Sequence, residues 1–169
     1  MAKSERIEFE SATLFAELIG KGQLKSLVSV KSSLYPVYCF KNTEKVADII
    51  GKFVTQHGLK SDRSVDDCWK EYDEHIINAT EKPHCIVTRN LKAVKRIIEE
   101  GYAYLLKRTN IDKYGKKCFV FYENDRIVEI KKEEDAINRA KYEEKHTAST
   151  KETADTQMSA LIKKAMEVK

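Results

Sequence analysis

The densest group of potential metal ligands lies in a predicted helix over residues 64–79. Asp67, Glu71 and His75 are four residues apart, so a helix places all three on one face. Carboxylate and imidazole groups on one face are able to bind a divalent metal, and the protein would then be a metal-dependent enzyme. No second cluster supplies the remaining ligands. Because the same spacing is typical of a solvated acidic helix face, we favour that interpretation.

Other catalytic and cofactor motifs are missing from the sequence. The six glycines never form a dinucleotide-binding or phosphate-binding loop, and no G-x-S-x-G nucleophile motif is present. His84 and Cys85 are neighbours on a predicted strand, so their side chains point to opposite faces and do not form a dyad. We therefore expect no cofactor, and the sequence favours a non-enzymatic binding protein.

A basic segment from Arg89 to Lys117 is the clearest candidate for a binding surface. It holds nine lysines and arginines against three acidic residues, with tyrosines among them. Lysines that neutralise phosphates release counterions, and an aromatic ring stacks on a base. The segment predicts contact with DNA or RNA through a basic helix face and a hairpin tip; the alternative is a solvated lysine-rich surface. The predicted nucleic-acid-binding residues are Arg89, Lys92, Lys95, Arg96, Lys107, Arg108, Lys113, Tyr114, Lys116 and Lys117.

An apolar stripe marks the predicted C-terminal helix. Ser149 and Glu152 form a capping-box pattern, which predicts that this helix begins just after Ser149. Met158, Leu161 and Ile162 then follow at helical spacing on one face. The stripe either docks back on the preceding domain or binds a partner, which is another copy or another protein. We predict these three residues as partner-binding residues.

Composition limits the class of protein. The chain has 169 residues, a formal net charge of +4, 41% hydrophobic residues and 34% charged residues, which suits one domain plus an appendage. It contains neither an apolar run long enough to span a membrane nor a signal peptide. The four cysteines form no C-x-x-C pair, so we expect reduced, mostly buried thiols and a cytoplasmic protein without membrane contact. The oligomeric state is not determined by the sequence.

Apolar periodicity predicts helices interspersed with short strands. The predicted helices cover residues 11–19, 43–57, 64–79 and 90–100, and the predicted strands cover 27–30, 35–40, 84–88, 102–106, 118–122 and 127–130. A polar helix over 131–145 and a linker over 146–150 precede the terminal helix. We predict an α+β domain over 1–130, with a small, mainly antiparallel sheet packed by helices, and a projecting, charged helical extension over 131–169.

The sequence also suggests a core and a weak internal repeat. A shift of 48 residues aligns Asn42, Val46, Ile49 and Ile50 with Asn90, Val94, Ile97 and Ile98. Caps and helical periodicity are generic, so we favour coincidence over duplication. The predicted core comprises Phe40, Val46, Ile49, Ile50, Phe53, Trp69, Ile76, Ile86, Leu91, Val94, Ile97, Ile98, Leu105, Phe119 and Phe121.

The stretch from Cys85 to Tyr102 combines a strand, a polar turn and a helix ending in glycine, and Lys117-Cys-Phe-Val-Phe adds a later strand. Over about residues 83–130 this pattern resembles a small uncharacterised domain of phage and mobile-element proteins from low-GC bacteria. That family has no established activity. The resemblance implies a phage-type accessory protein that contacts nucleic acid or that binds and inhibits a host protein such as a defence complex.

Overall fold

A computed structural model describes residues 4–166, without the side chains of residues 151–155. Six strands form two three-stranded antiparallel sheets, which pack with helices in one α+β arrangement. The α+β class and the antiparallel pairing are confirmed, although the strands form two sheets rather than one. The chain divides into two compact units between Lys131 and Lys132.

The first sheet and its helices come from the N-terminal part of the chain. The elements are β1 (Arg6–Phe9), α1 (Ala12–Gly20), β2 (Leu27–Lys31), β3 (Val37–Lys41) and α2 (Glu44–Gln56). The strands lie in the order β1-β3-β2, and the turn between α1 and β2 is a short 3-10 helix at Gln23–Ser26.

The second sheet repeats this order of elements. The elements are β4 (Cys85–Thr88), α4 (Leu91–Ile97), β5 (Leu106–Ile111), β6 (Lys117–Tyr122) and α5 (Asp125–Met166). The strands lie in the order β4-β6-β5, and helical turns at Ile98–Tyr102 and Ala103–Leu105 lead into β5. The first unit, which contains only the start of α5, is therefore a tandem pair of strand–helix–hairpin–helix repeats.

Local details show that the two repeats are equivalent. Gly22 and Gly101, 79 positions apart, both adopt positive φ after the first helix, a conformation that favours glycine. Each second strand carries a bulge at its start, after Leu27 and after Leu106. The 48-residue alignment is different, because it pairs α2 with α4, which hold different places in the repeat. That alignment is coincidental, as the sequence suggested.

The two sheets meet through their equivalent strands β2 and β5. The Val30 amide donates to Thr109 Oγ1 at 2.9 Å, and these residues hold the same position in the two repeats. At one end of this contact Lys117 Nζ donates to the Leu27 carbonyl, and at the other end Ser32 lies with Lys107 around one cavity. The two strands therefore run antiparallel, and the repeats are related by a pseudo-two-fold axis near Val30 and Thr109.

One hydrophobic core serves both repeats. Phe15 stacks on Tyr38 with ring centroids 4.3 Å apart, and the Tyr38 hydroxyl donates to the Ala103 carbonyl of the second repeat. Most of the predicted core is buried, but Ile50 and Ile86 are only half-buried. Leu91 was wrongly placed in the core: its side chain lies in the first turn of α4 and is 50% exposed.

A connecting segment over residues 57–84 joins the repeats. Of the helix predicted over 64–79, residues 69–77 are helical, as α3 (Trp69–Tyr72) continuing into a π turn (Asp73–Ile77), whereas a separate 3-10 turn (Arg63–Val65) precedes them. The helix begins late because of a tertiary network around Asp66, whose carboxylate accepts hydrogen bonds from the amides of Ala12 and Thr13. The segment is thereby held against the N-terminus of α1.

Two predicted strands are helical in the structure. Residues 102–106 alternate in polarity like a strand, but Gly101 turns the chain and the helical turns bury Ala103 and Leu105. Residues 127–130 begin α5, because Asn124 Oδ1 accepts from the Ile127 amide at 2.8 Å, which is the geometry of a helix N-cap.

The predicted linker over residues 146–150 is also helical. The α5 helix continues through it, and the side-chain hydroxyls of Thr147 and Thr150 donate to carbonyls four residues earlier. Ser149 therefore does not begin a new helix, since such back-bonding satisfies polar side chains within a helix. None of the described helices combines the length and the apolar character needed to cross a membrane.

Candidate nucleic-acid interface

The hairpin tip between β5 and β6 is organised by Asp112. Its Oδ1 accepts from the amides of Tyr114 and Lys116 at 2.8 and 2.9 Å, and Gly115 supplies the positive φ of the turn. Arg89 Nη1 donates to Oδ2 at 2.8 Å. The Lys116 amide, followed by Tyr114 and Arg89, lowers the pKa of this carboxyl group. The one acidic residue of the tip is therefore used to hold its backbone.

The remaining tip side chains point into solvent. Lys113, Tyr114 and Lys116 are all exposed, and the tyrosine ring is 68% accessible. Lys113 Nζ lies 5.0 Å from the centroid of the Tyr114 ring, and neither lysine forms an ion pair within the described residues. The tip thus presents two cationic groups beside an accessible aromatic ring, which are the components of a nucleic-acid contact.

The basic surface continues from the tip onto the first repeat. Lys117 is half-buried at the start of β6, and its pKa is lowered by burial and by the nearby charge of Lys41. Lys41 is exposed and lies opposite Arg6 in the β1–β3 register. We call Arg6, Lys41, Lys113, Lys116 and Lys117, with Tyr114, the composite basic surface. An anion placed there would relieve the repulsion between Lys41 and Lys117.

Sequence reasoning missed Arg6 and Lys41. They lie in β1 and β3, far from the basic segment along the chain, and their own neighbourhood is not markedly basic. Only the contact between β2 and β5, seen in the bond from Lys117 to the Leu27 carbonyl, brings them to the tip. No local pattern could have predicted this contact.

The predicted residues on α4 are placed differently. Lys95 lies 3.6 Å from Glu99, and Arg96 lies 3.2 Å from Glu100. These helix pairs neutralise much of the cationic face and contribute little to stability. Lys92 is exposed in the first turn without an ion pair in the described residues. The helix face is therefore a poorer phosphate site than the tip.

Lys107 and Arg108 lie on β5 away from the tip. Lys107 Nζ is 5.2 Å from the centroid of the Tyr122 ring and 3.9 Å from Cys85 Sγ, at the far end of the strand. Arg108 lies opposite Val120 and is exposed. The structure thus divides the ten predicted residues among the tip, the helix α4 and the strand β5, instead of bringing them into one patch.

The alternative of a metal site at Asp67, Glu71 and His75, which the sequence disfavours, lacks the shared helical face that it requires. Asp67 lies in the turn before α3, whereas His75 lies in the π turn after it, so the spacing of a continuous α-helix does not apply. Glu71 Oε2 accepts from the Tyr104 hydroxyl at 3.2 Å. The described part of the chain contains no group of three histidine, cysteine or acidic side chains that could hold a metal.

The predicted partner-binding stripe lies in the second unit, on α5. Met158, Leu161 and Ile162 are exposed by 65%, 67% and 59%. Large apolar side chains clustered on an open helix face are typical of a protein-binding surface. Their role as partner-binding residues stays a prediction.

Comparisons of the chain with protein-family models, with curated proteins and with solved structures find no match.

Proposed function

We propose that this protein is a non-enzymatic nucleic-acid-binding protein that contacts DNA or RNA through the composite basic surface. The observation that supports this most directly is the juxtaposition of Lys41 and Lys117 beside a tip whose only carboxylate, that of Asp112, is already engaged. Like charges held together cost free energy unless an anion offsets them. A phosphate backbone supplies anions in a row, and the exposed ring of Tyr114 supplies a stacking surface for a base.

The test is binding to labelled single- and double-stranded DNA and RNA over a salt series. Lys41→Glu, Lys113→Glu and Lys116→Glu are combined in one variant, because all three side chains are exposed and reversing them leaves the core intact. Each lost phosphate contact lowers the slope of log affinity against log salt by about 0.9 on duplex DNA and about 0.7 on single strands. We expect at least a tenfold loss of affinity and a flatter salt dependence.

The matched control reverses the same number of charges elsewhere. Lys45, Lys60 and Lys70 are exposed lysines outside the composite basic surface, and a variant with all three changed to glutamate has the same net charge. We expect this control to retain most of the affinity. Equal losses in the two variants would show a non-specific effect of net charge, and an absence of binding at low salt would overturn the proposal.

A second candidate is a phage-type accessory protein that binds and inhibits a host protein, such as a defence complex. The exposed stripe of Met158, Leu161 and Ile162 supports it, because such faces bind grooves of partner proteins. This candidate predicts a stoichiometric complex that is lost when Leu161 and Ile162 are changed to serine and that is unaffected by the lysine reversals.

We also propose that the protein is cytoplasmic, because of its cysteines. The four cysteines are free thiols: Cys39 and Cys118 are buried, Cys68 is half-buried and Cys85 is exposed. Burial, more than neighbouring carboxylates such as Asp66, raises the pKa of the Cys68 thiol to about 12. Unpaired thiols are the normal state of cysteine in a reducing compartment, which supports the cytoplasmic assignment.

A further inference from the structure

A cavity of about 460 Å³ lies between the connecting segment and the second repeat, away from the composite basic surface. Its apolar walls include Ile76 and Leu105, both buried, with Pro83. Its aromatic walls are Tyr102 and Tyr104, both half-buried. The volume lies in the range of small-molecule sites, which are typically concave and mostly apolar with a few polar groups.

The polar groups of this cavity are chiefly anionic. Glu71 and Glu123 line it, and neither forms an ion pair within the described residues. Glu71 accepts from the Tyr104 hydroxyl. Burial and this carboxylate raise the pKa of Tyr104 to about 12, so the phenol remains neutral and continues to donate. His75 and Asn124 also line the cavity, but the Oδ1 atom of Asn124 is engaged in capping α5.

We propose that this cavity binds an organic cation with an aliphatic stem, either a primary amine or a guanidinium group. Carboxylates pair with the cationic head, and tyrosine faces attract it through their ring electrons. The aliphatic stem lies against the walls formed by Ile76, Pro83 and Leu105. A free amine and an arginine or lysine side chain of a partner share this chemistry. The inference is independent of nucleic-acid binding, because it uses none of the residues of the composite basic surface.

The chain carries its own reporter for this site. Trp69 is the single tryptophan, and its ring centroid lies 6.5 Å from that of Tyr104. Its indole N–H donates to Asp66 Oδ2 at 2.7 Å, which fixes the ring beside the cavity wall. Occupation of the cavity should therefore change the tryptophan fluorescence.

The first experiment titrates the full chain with agmatine, butylamine, butanol and butyrate and follows the fluorescence of Trp69. We expect a saturable change with agmatine and with butylamine, and at least tenfold weaker effects from the neutral alcohol and the anion. Butanol binding as tightly as butylamine would overturn the proposal, because the cavity would then recognise only the apolar stem. An absence of saturable binding by either cation would also overturn it.

The second experiment uses variants. Glu71→Gln combined with Glu123→Gln removes both charges at nearly constant volume, and we expect a loss of agmatine affinity of at least tenfold. Glu74→Gln combined with Glu81→Gln is the matched control, since both are exposed carboxylates outside the cavity lining; it should bind within twofold of the parent. Equal binding by the two double variants contradicts the proposal.

Folding and ligand source are checked separately. A thermal melt of each variant confirms that it folds. Glu123→Gln alone replaces the double variant if the latter does not fold, because this single change leaves the hydrogen bond from Tyr104 to Glu71 in place. A blocked arginine peptide that binds more tightly than agmatine identifies a partner's side chain as the ligand, and the reverse order identifies a free amine. The triple lysine variant of the composite basic surface should bind agmatine normally, so the two proposals succeed or fail independently.

Discussion

The two repeats share a core but differ in what their hairpin loops contact. In the first repeat, one side of loop 32–36 packs against the connecting segment, although Leu34 is 66% exposed: Tyr35 lies edge-on to Trp69 at 5.5 Å, and the Tyr72 hydroxyl donates to the Leu34 carbonyl. In the second repeat, loop 112–116 is exposed and carries lysines. The comparison shows that the first hairpin loop contributes packing contacts to the fold, whereas the second contributes an exposed, lysine-bearing surface.

The first helices of the two repeats, α1 and α4, are alike in their buried residues and differ in the charge of their outward faces. Four of the five residues that α1 buries, Leu14, Phe15, Leu18 and Ile19, correspond to Ala93, Val94, Ile97 and Ile98, and all eight are at most 1% exposed. The outward face of α1 carries one charged residue, Glu17, whereas α4 carries Lys92, Lys95 and Arg96. Packing constrains the inward positions of both copies, and the outward positions are free to change with function.

The largest effect on stability is expected from truncating core side chains that hold equivalent positions in the two repeats. Leu18 and Ile97 are 79 positions apart and both fully buried. Leu18→Ala and Ile97→Ala should each lower the free energy of unfolding by about 2–5 kcal/mol, because each leaves a cavity in close-packed surroundings. Urea denaturation followed by circular dichroism measures this. Since the repeats share one core, we expect a single transition in both variants; separate transitions for the two repeats would contradict the shared core.

The next largest loss of stability is expected from changes at the N-caps of α1 and α4, which the two repeats build differently. Ser11 Oγ, the cap of α1, donates to Asp66, which also accepts from the Ala12 amide and the Trp69 indole. Asp66→Ala should cost about 2–3 kcal/mol, since several donors lose a charged acceptor at once. Asn90 caps α4 by accepting hydrogen bonds from the Lys92 and Ala93 amides, and Asn90→Ala should cost about 1 kcal/mol.

Denaturation of both cap variants is measured alongside Asp67→Ala as the control. Asp67 is exposed, and such a surface change should stay within about 0.5 kcal/mol of the parent. A smaller loss in Asp66→Ala than in Asn90→Ala would mean that the connecting segment does not support the first repeat.

A smaller effect is expected on binding from the exposed aromatic ring of the second hairpin. Tyr114→Ala should weaken binding to single-stranded nucleic acid by about 1–3 kcal/mol, the usual contribution of one stacked base, and should leave the salt slope unchanged. Fluorescence anisotropy with labelled oligonucleotides measures both quantities. Tyr35→Ala provides the comparison, because Tyr35 lies in the equivalent hairpin loop of the first repeat and its ring packs against Trp69. An equal loss of affinity in Tyr35→Ala and Tyr114→Ala would remove the distinction between the hairpins.

The smallest effect concerns pH. The pKa of Asp112 is lowered in the folded state, first by its hydrogen bond from the Lys116 amide. A carboxyl group of this kind stabilises the fold above its unfolded pKa, about 3.9, and that stabilisation is lost as the pH falls through the folded pKa. Between pH 5 and pH 2, Asp112→Asn should therefore lose less stability than the parent. If the free energy of unfolding depended on pH in the same way in this variant and in the parent, the pKa of Asp112 would not be lowered by folding.

Much of the fold is predictable from local patterns, and the exceptions have identifiable causes. The strands β2, β3, β4 and β6 and the helix α2 lie within a few residues of their predicted positions, since alternation and helical spacing report which side of an element is buried. The helix predicted over 64–79 begins late, at Trp69, because Asp66 before it is held by a long-range network at the N-terminus of α1. The start of α5 was mispredicted because Ile127 and Ile130, both fully buried, suit a strand and a helix equally well.

The candidate site was predictable only in part. The hairpin tip with Lys113, Tyr114 and Lys116 follows from its turn residues and its charges, which are local properties. Arg6 and Lys41 join it only because β3 and β6 lie in sheets that meet at β2 and β5. The 79-residue repeat is not visible in the sequence for a related reason. Its equivalent positions share burial and backbone conformation but few identical residues.

Taken alone, the amino-acid sequence determined the α+β class, the principal strands and helices, and the concentration of positive charge between Arg89 and Lys117. These properties depend on hydrophobic periodicity, capping and charge counting over short stretches. The tertiary structure alone decided that the two sheets meet at equivalent strands, that Tyr35 of one hairpin packs on the connecting segment while Tyr114 of the other is exposed, and that Glu71 and Glu123 share a cavity. Each of these depends on contacts between residues far apart in the chain, which local patterns do not encode.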